Sequence, residues 1–247
     1  MKKTMFTAVL LAAAFASAAL WAQSAPITAN DFNERGFVYF DNGDYDRAIA
    51  DFTQAMRLDP NDADIYFYRG ATYDSKGDYD RAIADYTQAI RLNPNFAFAY
   101  SNRAAAYNSK GDLDRAIADC TQAIRLDPNF VNAYINRGAV YNSKGDYDRA
   151  IADYTQVIRL DPNFASAYNN RGAAYNGKGD YDRAIADCTQ AIRLDPNFEN
   201  PCRHRAFAYM QKGNFTQART DVNRALQINP NYQSAKDLDA ELKRRGY

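Results

Sequence analysis

The sequence predicts an all-α fold, a solenoid of helix–turn–helix repeats that ends in a capping helix. The main observation is a phrase at residues 77–94, GDYDRAIADYTQAIRLNP, which recurs along most of the chain. Its other copies begin at Gly43, Gly111, Gly145, Gly179 and, in a degenerate form, Gly213. The second observation is the constant spacing, because a proline closes each copy 34 residues after the last. These prolines are Pro60, Pro94, Pro128, Pro162, Pro196 and Pro230. A fixed period of about 20–50 residues is typical of solenoids, and about 34 is the spacing of helix–turn–helix repeats.

Residues 1–22 are predicted to be a secretory signal peptide, and residues 23–28 a short linker. Lys2 and Lys3 supply the positively charged start of such a signal, and residues 5–16 form an uncharged, mostly apolar stretch. The alanine-rich style of this leader is typical of bacteria. We therefore expect a periplasmic or secreted bacterial protein.

The leader leaves two questions open. Cleavage after Ala22 is favoured because it leaves a fuller polar region after the apolar stretch, but Ala18 is a second acceptable site. An uncleaved anchor is the rival interpretation, since residues 4–22 approach the minimum length that spans a bilayer. We expect contact with a membrane only in that case.

The residues that precede each copy of the phrase predict the first helix of a repeat. In the second repeat this helix runs from Ala63 to Lys76 and places Tyr66, Gly70 and Tyr73 on one face. Because this helix and the one that follows cannot both bury their apolar faces alone, neighbouring repeats must stack.

The phrase itself predicts the second helix of each repeat. Gly77 can adopt the positive φ that ends the first helix, and Asp78 is suited to cap the second. Pro94 prevents the second helix from continuing. The apolar face of this helix comprises Ala82, Ile83, Tyr86, Ala89 and Ile90.

The spacing of these residues resembles the signature of tetratricopeptide repeats. The matching residues of the second repeat are Tyr66, Gly70, Tyr73, Ala82, Tyr86, Ala89 and Pro94, at positions 4, 8, 11, 20, 24, 27 and 32 of the repeat. Six such repeats cover residues 29–230 and begin at Ala29, Ala63, Ala97, Val131, Ala165 and Glu199. The departures are Cys120, Cys188 and Val222 at position 24, Val157 at position 27 and Cys202 at position 4. The resemblance implies a right-handed α-solenoid whose first helices line a concave groove for peptide segments of partner proteins.

Both ends of the repeat array carry signals of their own. Thr28 and Asp31 resemble a capping box at the start of the first helix. Residues 231–247 are predicted to be the C-terminal capping element, with a helix from Tyr232 to Arg245. Its apolar face comprises Tyr232, Ala235, Leu238 and Leu242. A helix with such a face and a polar back is what the open end of a solenoid needs.

Every repeat carries an arginine at position 7, where the resembling family usually has a large apolar residue, and an aspartate at position 23. The arginines are Arg35, Arg69, Arg103, Arg137, Arg171 and Arg205, and the aspartates are Asp51, Asp85, Asp119, Asp153, Asp187 and Asp221. Position 7 falls on the packed side of the first helix, where a guanidinium needs a partner. We therefore predict structural ion pairs within each repeat rather than an anion-binding site.

Composition offers little for catalysis. His204 is the single histidine, which excludes a multi-histidine metal site or a two-histidine acid–base pair within one chain, and it is expected to be a surface side chain. Lys plus Arg and Asp plus Glu both total 30, so the sequence predicts no basic surface for nucleic acid. We predict a protein that is not an enzyme and that needs no cofactor or metal.

The three cysteines are expected to be buried free thiols. Cys120 and Cys188 both occupy position 24 but lie two repeats apart, which is too far for a disulfide. Cys188 and Cys202 lie on successive helices, so a bond between these two stays open.

The first helices differ most between repeats on the face opposite the core, and we expect a partner to bind there. The peptide-binding residues that we predict are the aromatics Phe37, Phe40, Phe67, Tyr68 and Phe98, the amides Asn102, Asn136 and Asn170, and the terminal pair Arg203 and His204. The aromatic residues are expected to be exposed. The other interpretation of the asparagines is a solvated face without a ligand.

These observations together predict a non-enzymatic scaffold or adaptor that binds a protein or peptide partner in its groove. One alternative is a structural component of envelope assembly that acts by self-association. A less favoured alternative is an accessory subunit with an enzymatic activity of its own.

Overall fold

The computed structural model describes residues 28–247 of the chain. Over these residues the protein is all-α, with thirteen helices and no β-strand. In chain order the helices are α1 Ala29–Asp41, α2 Tyr45–Leu58, α3 Ala63–Ser75, α4 Tyr79–Leu92, α5 Ala97–Ser109, α6 Leu113–Leu126, α7 Val131–Ser143, α8 Tyr147–Leu160, α9 Ala165–Lys178, α10 Tyr181–Leu194, α11 Glu199–Gln211, α12 Phe215–Ile228 and α13 Gln233–Arg244. The predicted all-α, helix–turn–helix class is confirmed. The predicted signal peptide at 1–22 and the linker up to residue 27 lie outside the described residues.

The described part of the chain divides into two compact units, one that ends at residue 106 and one of residues 107–247. In the first unit α1 packs on α2, α2 on α3 and α3 on α4. In the second unit each helix from α6 to α13 packs on the next, and the first helices α7, α9 and α11 also contact one another in sequence. Consecutive helix pairs therefore stack within each unit, which is how the repeats bury apolar faces that a single pair would leave exposed.

Each second helix begins with the same cap. In the turn before α4, Gly77 has a φ of +78°, a conformation that costs glycine little because it has no Cβ. The carboxylate of Asp78 accepts a hydrogen bond from the backbone N–H of Arg81 at 3.1 Å and another from its Nε at 2.6 Å. This contact with Arg81 lowers the pKa of Asp78. Equivalent caps are made by Asp44, Asp112, Asp146, Asp180 and Asn214. A cap of this kind typically contributes about 1 kcal/mol.

The helix boundaries differ from the predicted ones by single residues. Helix α3 ends at Ser75, and the predicted last residue, Lys76, is its C-cap. The final helix α13 spans Gln233–Arg244, with a cap residue at either end where the sequence predicted helix. The predicted capping box is present, because Thr28 and Asp31 each accept a hydrogen bond from the backbone N–H of the other.

Position 8 of a repeat is glycine wherever position 24 carries an aromatic ring. A Cβ atom added to Gly36 would lie 2.8 Å from the Phe52 ring, and one added to Gly138 would lie 2.9 Å from the Tyr154 ring. In the last repeat the smaller Val222 is accompanied by an alanine, Ala206, in the same core cluster. The first helix can therefore approach a large aromatic residue of the second helix only where position 8 is glycine. This packing fixes which face of the first helix is turned away from the core.

Candidate functional site

Five of the six position-7 arginines form bidentate ion pairs inside their own repeats. Their Nε and Nη2 atoms donate to the two oxygens of the position-23 carboxylate at 2.6–2.9 Å. The pairs within one unit are Arg35–Asp51, Arg69–Asp85, Arg137–Asp153, Arg171–Asp187 and Arg205–Asp221. The hydrogen bond with Asp153 raises the pKa of Arg137, so this guanidinium stays charged at any physiological pH. Arg103 and Asp119, the sixth predicted pair, belong to different units.

Each of these arginines except Arg35 also donates to the preceding repeat, which the sequence analysis missed. The Nη1 atom of Arg137 donates to the hydroxyl of Thr121 at 3.1 Å. The same bond joins Arg69 to Thr53, Arg103 to Thr87, Arg171 to Thr155 and Arg205 to Thr189 at 2.9–3.0 Å. One side chain therefore fixes the first helix to its own second helix and to the second helix before it. A threonine at position 25 of the five preceding repeats is the sequence signal of this link.

The predicted aromatic residues of the first unit are mostly half-buried, so the expectation that they are all exposed is wrong. The Phe37 ring centroid lies 5.5 Å from that of Phe52 and 4.3 Å from that of Tyr68. Phe67 lies 5.3 Å from Tyr68, and Phe40 packs against the same cluster as Phe37. These rings fill the space between stacked helices. Phe98 differs, because 56% of its surface is exposed.

Two amide residues of the second unit are more buried than residues of a solvated face would be. Asn169 and Asn176 are 6% and 9% exposed, and their side-chain oxygens lack a hydrogen-bond partner among the described residues. The Nδ2 atom of Asn169 donates to Oδ1 of Asn170 at 3.0 Å, and that of Asn176 donates to the backbone oxygen of His204 at 2.9 Å. They are buried because adjacent first helices pack on one another. The predicted residues Asn102, Asn136 and Asn170 are half-buried.

Arg203 and His204 form a contact pair on α11. Nη1 of Arg203 donates to Nδ1 of His204 at 2.9 Å, which requires an unprotonated Nδ1. Burial, together with the positive charge of Arg203, lowers the pKa of His204 to about 4. The imidazole is half-buried rather than at the surface, and it is neutral at pH 7. The Nε atom of Arg203 has no hydrogen-bond partner in the described part of the chain.

The cysteines are buried thiols, and no metal-binding group of residues accompanies them in the described part of the chain. Cys120, Cys188 and Cys202 are free and buried. Burial raises the pKa of the Cys120 thiol to about 12, so it is not a nucleophile at neutral pH. Residues 28–247 contain no group of three or more His, Cys, Asp or Glu placed to hold a metal ion. Within the same residues, no helix has both the length and the apolar character that crossing a bilayer requires.

Comparison with known proteins gives matches along most of the chain. Family models described as tetratricopeptide repeat match residues 34–95, 97–130, 120–152, 165–198 and 200–232, and one described as TPR repeat matches residues 138–179. No curated protein matches the chain significantly.

Three solved structures illustrate the likeness. The APC/C hetero-tetramer Cut9–Hcn1 has a chain that is 25% identical to this one, with a TM-score of 0.73, and 89% of this chain covers 43% of that one. A tetratricopeptide repeat protein from Parabacteroides merdae is 20% identical, with a TM-score of 0.76, and 89% of this chain covers 87% of that one. MamA is 31% identical, with a TM-score of 0.61, and 65% of this chain covers 94% of that one.

The matched segments coincide with the stacked helix pairs and their capped second helices. The chain belongs to the tetratricopeptide repeat family.

Proposed function

We propose that the protein is a non-enzymatic scaffold whose first helices hold an extended segment of a partner protein. The family supports interaction with proteins or peptides in general. The second helices are nearly identical in sequence from repeat two to repeat five, and the ion pairs hold them in place. Selectivity for a partner must therefore come from the first helices.

The observation that carries the proposal is the exposed ring of Phe98 on α5. It is the single aromatic residue within the described helices that counts among the exposed large hydrophobic side chains. Leaving a phenylalanine side chain in water forgoes roughly 1.5–3 kcal/mol of burial free energy. Aromatic side chains that become buried on association supply much of the binding energy at protein interfaces. Phe98 is thus suited to anchor an apolar side chain of the partner.

The amides of the first helices support the same function. Half-buried asparagines such as Asn102, Asn136 and Asn170 can donate to and accept from a peptide backbone, which every partner sequence provides. Such contacts hold an extended segment without selecting its side chains. The aromatic anchor then adds the selectivity.

Random dodecapeptides displayed on phage and selected on the full chain test this function. Binding of the selected peptides, measured by fluorescence anisotropy, should weaken about 10–100-fold in Phe98→Ala, the loss typical of an interface anchor. Leu58→Ala is the matched control, because Leu58 is 55% exposed but ends a second helix. If Leu58→Ala weakened binding and Phe98→Ala did not, the partner would bind the second helices. Light scattering of the full chain over a concentration series separates this function from self-assembly.

We also propose that the protein is exported and acts in the periplasm or outside the cell. The proposal rests on the charged, apolar and small-residue order of residues 1–22. The intact mass of the protein purified from the envelope should lack these residues. A mass that retains them would support the anchored alternative.

A further inference from the structure

One side of a first helix packs against the second helix of the preceding repeat. On α7, Arg137 at position 7 donates to the hydroxyl of Thr121 on α6 at 3.1 Å. At position 14, just after the same helix, Lys144 donates to Asp114 of α6 at 2.6 Å. Val140 at position 10 lies between these two residues on the same side of α7 and is 1% exposed. Position 10 therefore lies in the contact between consecutive repeats.

Position 10 is buried in every repeat except the first. Its residues in repeats two to six are 0–1% exposed, namely Thr72, Ala106, Val140, Ala174 and Ala208. Val38, which occupies position 10 of the first repeat, is 42% exposed. Because Val38 and Val140 are the same residue type, the difference comes from what covers them and not from the side chain. Helix α1 thus presents an uncovered copy of the contact between repeats.

Arg35, one turn before Val38 on the same side of α1, lacks the acceptor that the later arginines have. Its Nε and Nη2 atoms donate to Asp51 at 2.6 and 2.7 Å, but its Nη1 atom has no acceptor in the described part of the chain. The Arg35 side chain is 36% exposed, against 17–18% for the equivalent arginines of repeats two, four, five and six. One polar and one apolar contact that a second helix makes elsewhere are therefore both unmade here.

The C-terminal end of the array is covered, in contrast to α1. Helix α13 packs on α12, and Arg219 of α12 forms an ion pair with Asp239 of α13. The outward side of the first repeat has polar residues at its edges, Asp31 at position 3 and Asn42 at position 14, but keeps Val38 between them. An apolar centre with a polar rim is typical of a protein interface.

The contacts inside the chain define the element that fits this side of α1. Elsewhere it is an α-helix with a threonine hydroxyl that accepts from the arginine at 2.9–3.1 Å. A second copy of the chain offers no free threonine of this kind, because all five already accept from arginines of their own chain, and the last second helix carries Asn223 there and packs on α13. The chain's own leader has Ala19, which has no hydroxyl, 16 residues before Arg35. The occupant that fits is therefore a helix of another protein.

We propose that the outward side of α1, formed by Arg35 and Val38, binds an α-helix of a partner protein in the way that later first helices bind the second helix before them. A serine or threonine hydroxyl of that helix accepts from Nη1 of Arg35, and its apolar side covers Val38. This surface lies on α1 and not on the groove face that carries Phe98, so the inference goes beyond the proposed function. The bound helix extends the solenoid by one element.

The probe is a helical peptide with the sequence of α6 and its turns, residues 111–128, because α6 packs against the equivalent side of α7. An amide bridge from the Asp114 side chain to a lysine placed by Ala118→Lys keeps the short peptide helical, and both positions are exposed in the chain. Cys120→Ala prevents oxidation of the peptide. Fluorescence anisotropy measures its binding to the full chain.

Two changes should weaken this binding. In the peptide, Thr121→Val removes the acceptor but keeps the shape, and should weaken binding about 10-fold, the effect of one hydrogen bond to a charged group. In the chain, Val38→Lys should weaken binding by about 10-fold or more, because the bound helix would bury an ammonium group. Phe98→Lys is the matched control, since it places the same charge at another exposed site of a first helix and should leave binding of the helical peptide unchanged.

The other outcomes decide against the partner helix. Equal binding by the wild type and Val38→Lys, or no binding by the wild type, would overturn the proposal, whereas the dodecapeptides selected for the groove should bind Val38→Lys normally. The melting temperature of Val38→Lys should match that of the wild type, because Val38 is exposed and lysine favours helix. A marked fall would mean that residues before 28 cover this side. Light scattering should give one mass for both proteins, and a dimer that Val38→Lys dissociates would mean that a second copy covers it.

Discussion

Removing the carboxylate of Asp153 should leave the guanidinium of Arg137 charged and largely buried. In the folded protein the two side chains are 7% and 17% exposed, and two hydrogen bonds of 2.9 and 2.7 Å join them. In Asp153→Ala the arginine keeps a single polar partner, the hydroxyl of Thr121. The change therefore tests how much the ion pairs contribute to the stability of the array.

The magnitude follows from the geometry. Hydrogen bonds to charged groups contribute ~1.5–3 kcal/mol each, and removing one partner of a buried pair typically costs ~3–5 kcal/mol. Because the Arg137 side chain keeps some exposure, water recovers part of the hydration of its guanidinium. We expect a loss of about 3 kcal/mol, near the lower end of that range. For a chain of this size the melting temperature should fall by ~6–12 °C.

Thermal and urea unfolding, followed by circular dichroism at 222 nm, measure the loss. Asp148→Ala is the matched control on the same helix, because Asp148 is 76% exposed in its ion pair with Lys178 and should contribute at most ~1 kcal/mol. A double change, Arg137→Met with Asp153→Leu, should recover most of the stability because it removes both charges. Equal small losses in Asp153→Ala and Asp148→Ala would refute the reasoning, since the buried pair would then behave like a surface pair.

Three further predictions follow from packing and protonation. Because the pKa of His204 is lowered to about 4, the unfolded chain binds a proton near pH 6.5 that the folded chain excludes. The contribution of neutral His204 to the free energy of unfolding should be fully present above pH 6.5 and should decrease as the pH falls toward 4. His204→Gln should abolish the loss of stability between pH 6.5 and pH 5. Gly138→Ala should lower the free energy of unfolding by ~1–3 kcal/mol because the ring of Tyr154 is buried and cannot move. Gly177→Ala should leave it unchanged or raise it by up to ~1 kcal/mol, because the half-buried ring of Tyr147 can shift. Thiol labelling after unfolding without reductant should count three reactive groups, and labelling of the folded protein should be slow.

The repeating part of the fold could be predicted because each copy carries the same local signals. A glycine such as Gly77, an aspartate cap such as Asp78 and a closing proline determine where a second helix begins and ends. The match between Arg137 and Asp153 could be predicted because a charge on the packed side needs a partner. The threonine link was within reach of the sequence as well, since Thr121 and its equivalents recur at the same spacing before every arginine except Arg35.

The burial of the first-helix residues could not be predicted in the same way. A helical projection assigns the faces of one helix, but Tyr68 is half-buried because it contacts Phe37 and Phe52, which lie on other helices. Asn176 is likewise buried because the following first helix presents a backbone oxygen to it. Such contacts depend on the distance between neighbouring repeats, which the sequence pattern of a single repeat does not reveal.

Residues that differ from their equivalents in the other repeats are therefore the most informative about function. A residue that recurs in every repeat is explained by stacking, as the arginine and aspartate pairs are. Phe98 places an exposed ring where Asn132 and Ser166 stand in the next two repeats. Because Phe98→Asn installs the residue of the next repeat at an exposed position, the fold should stay intact, and any loss of peptide binding must report the face that binds the partner.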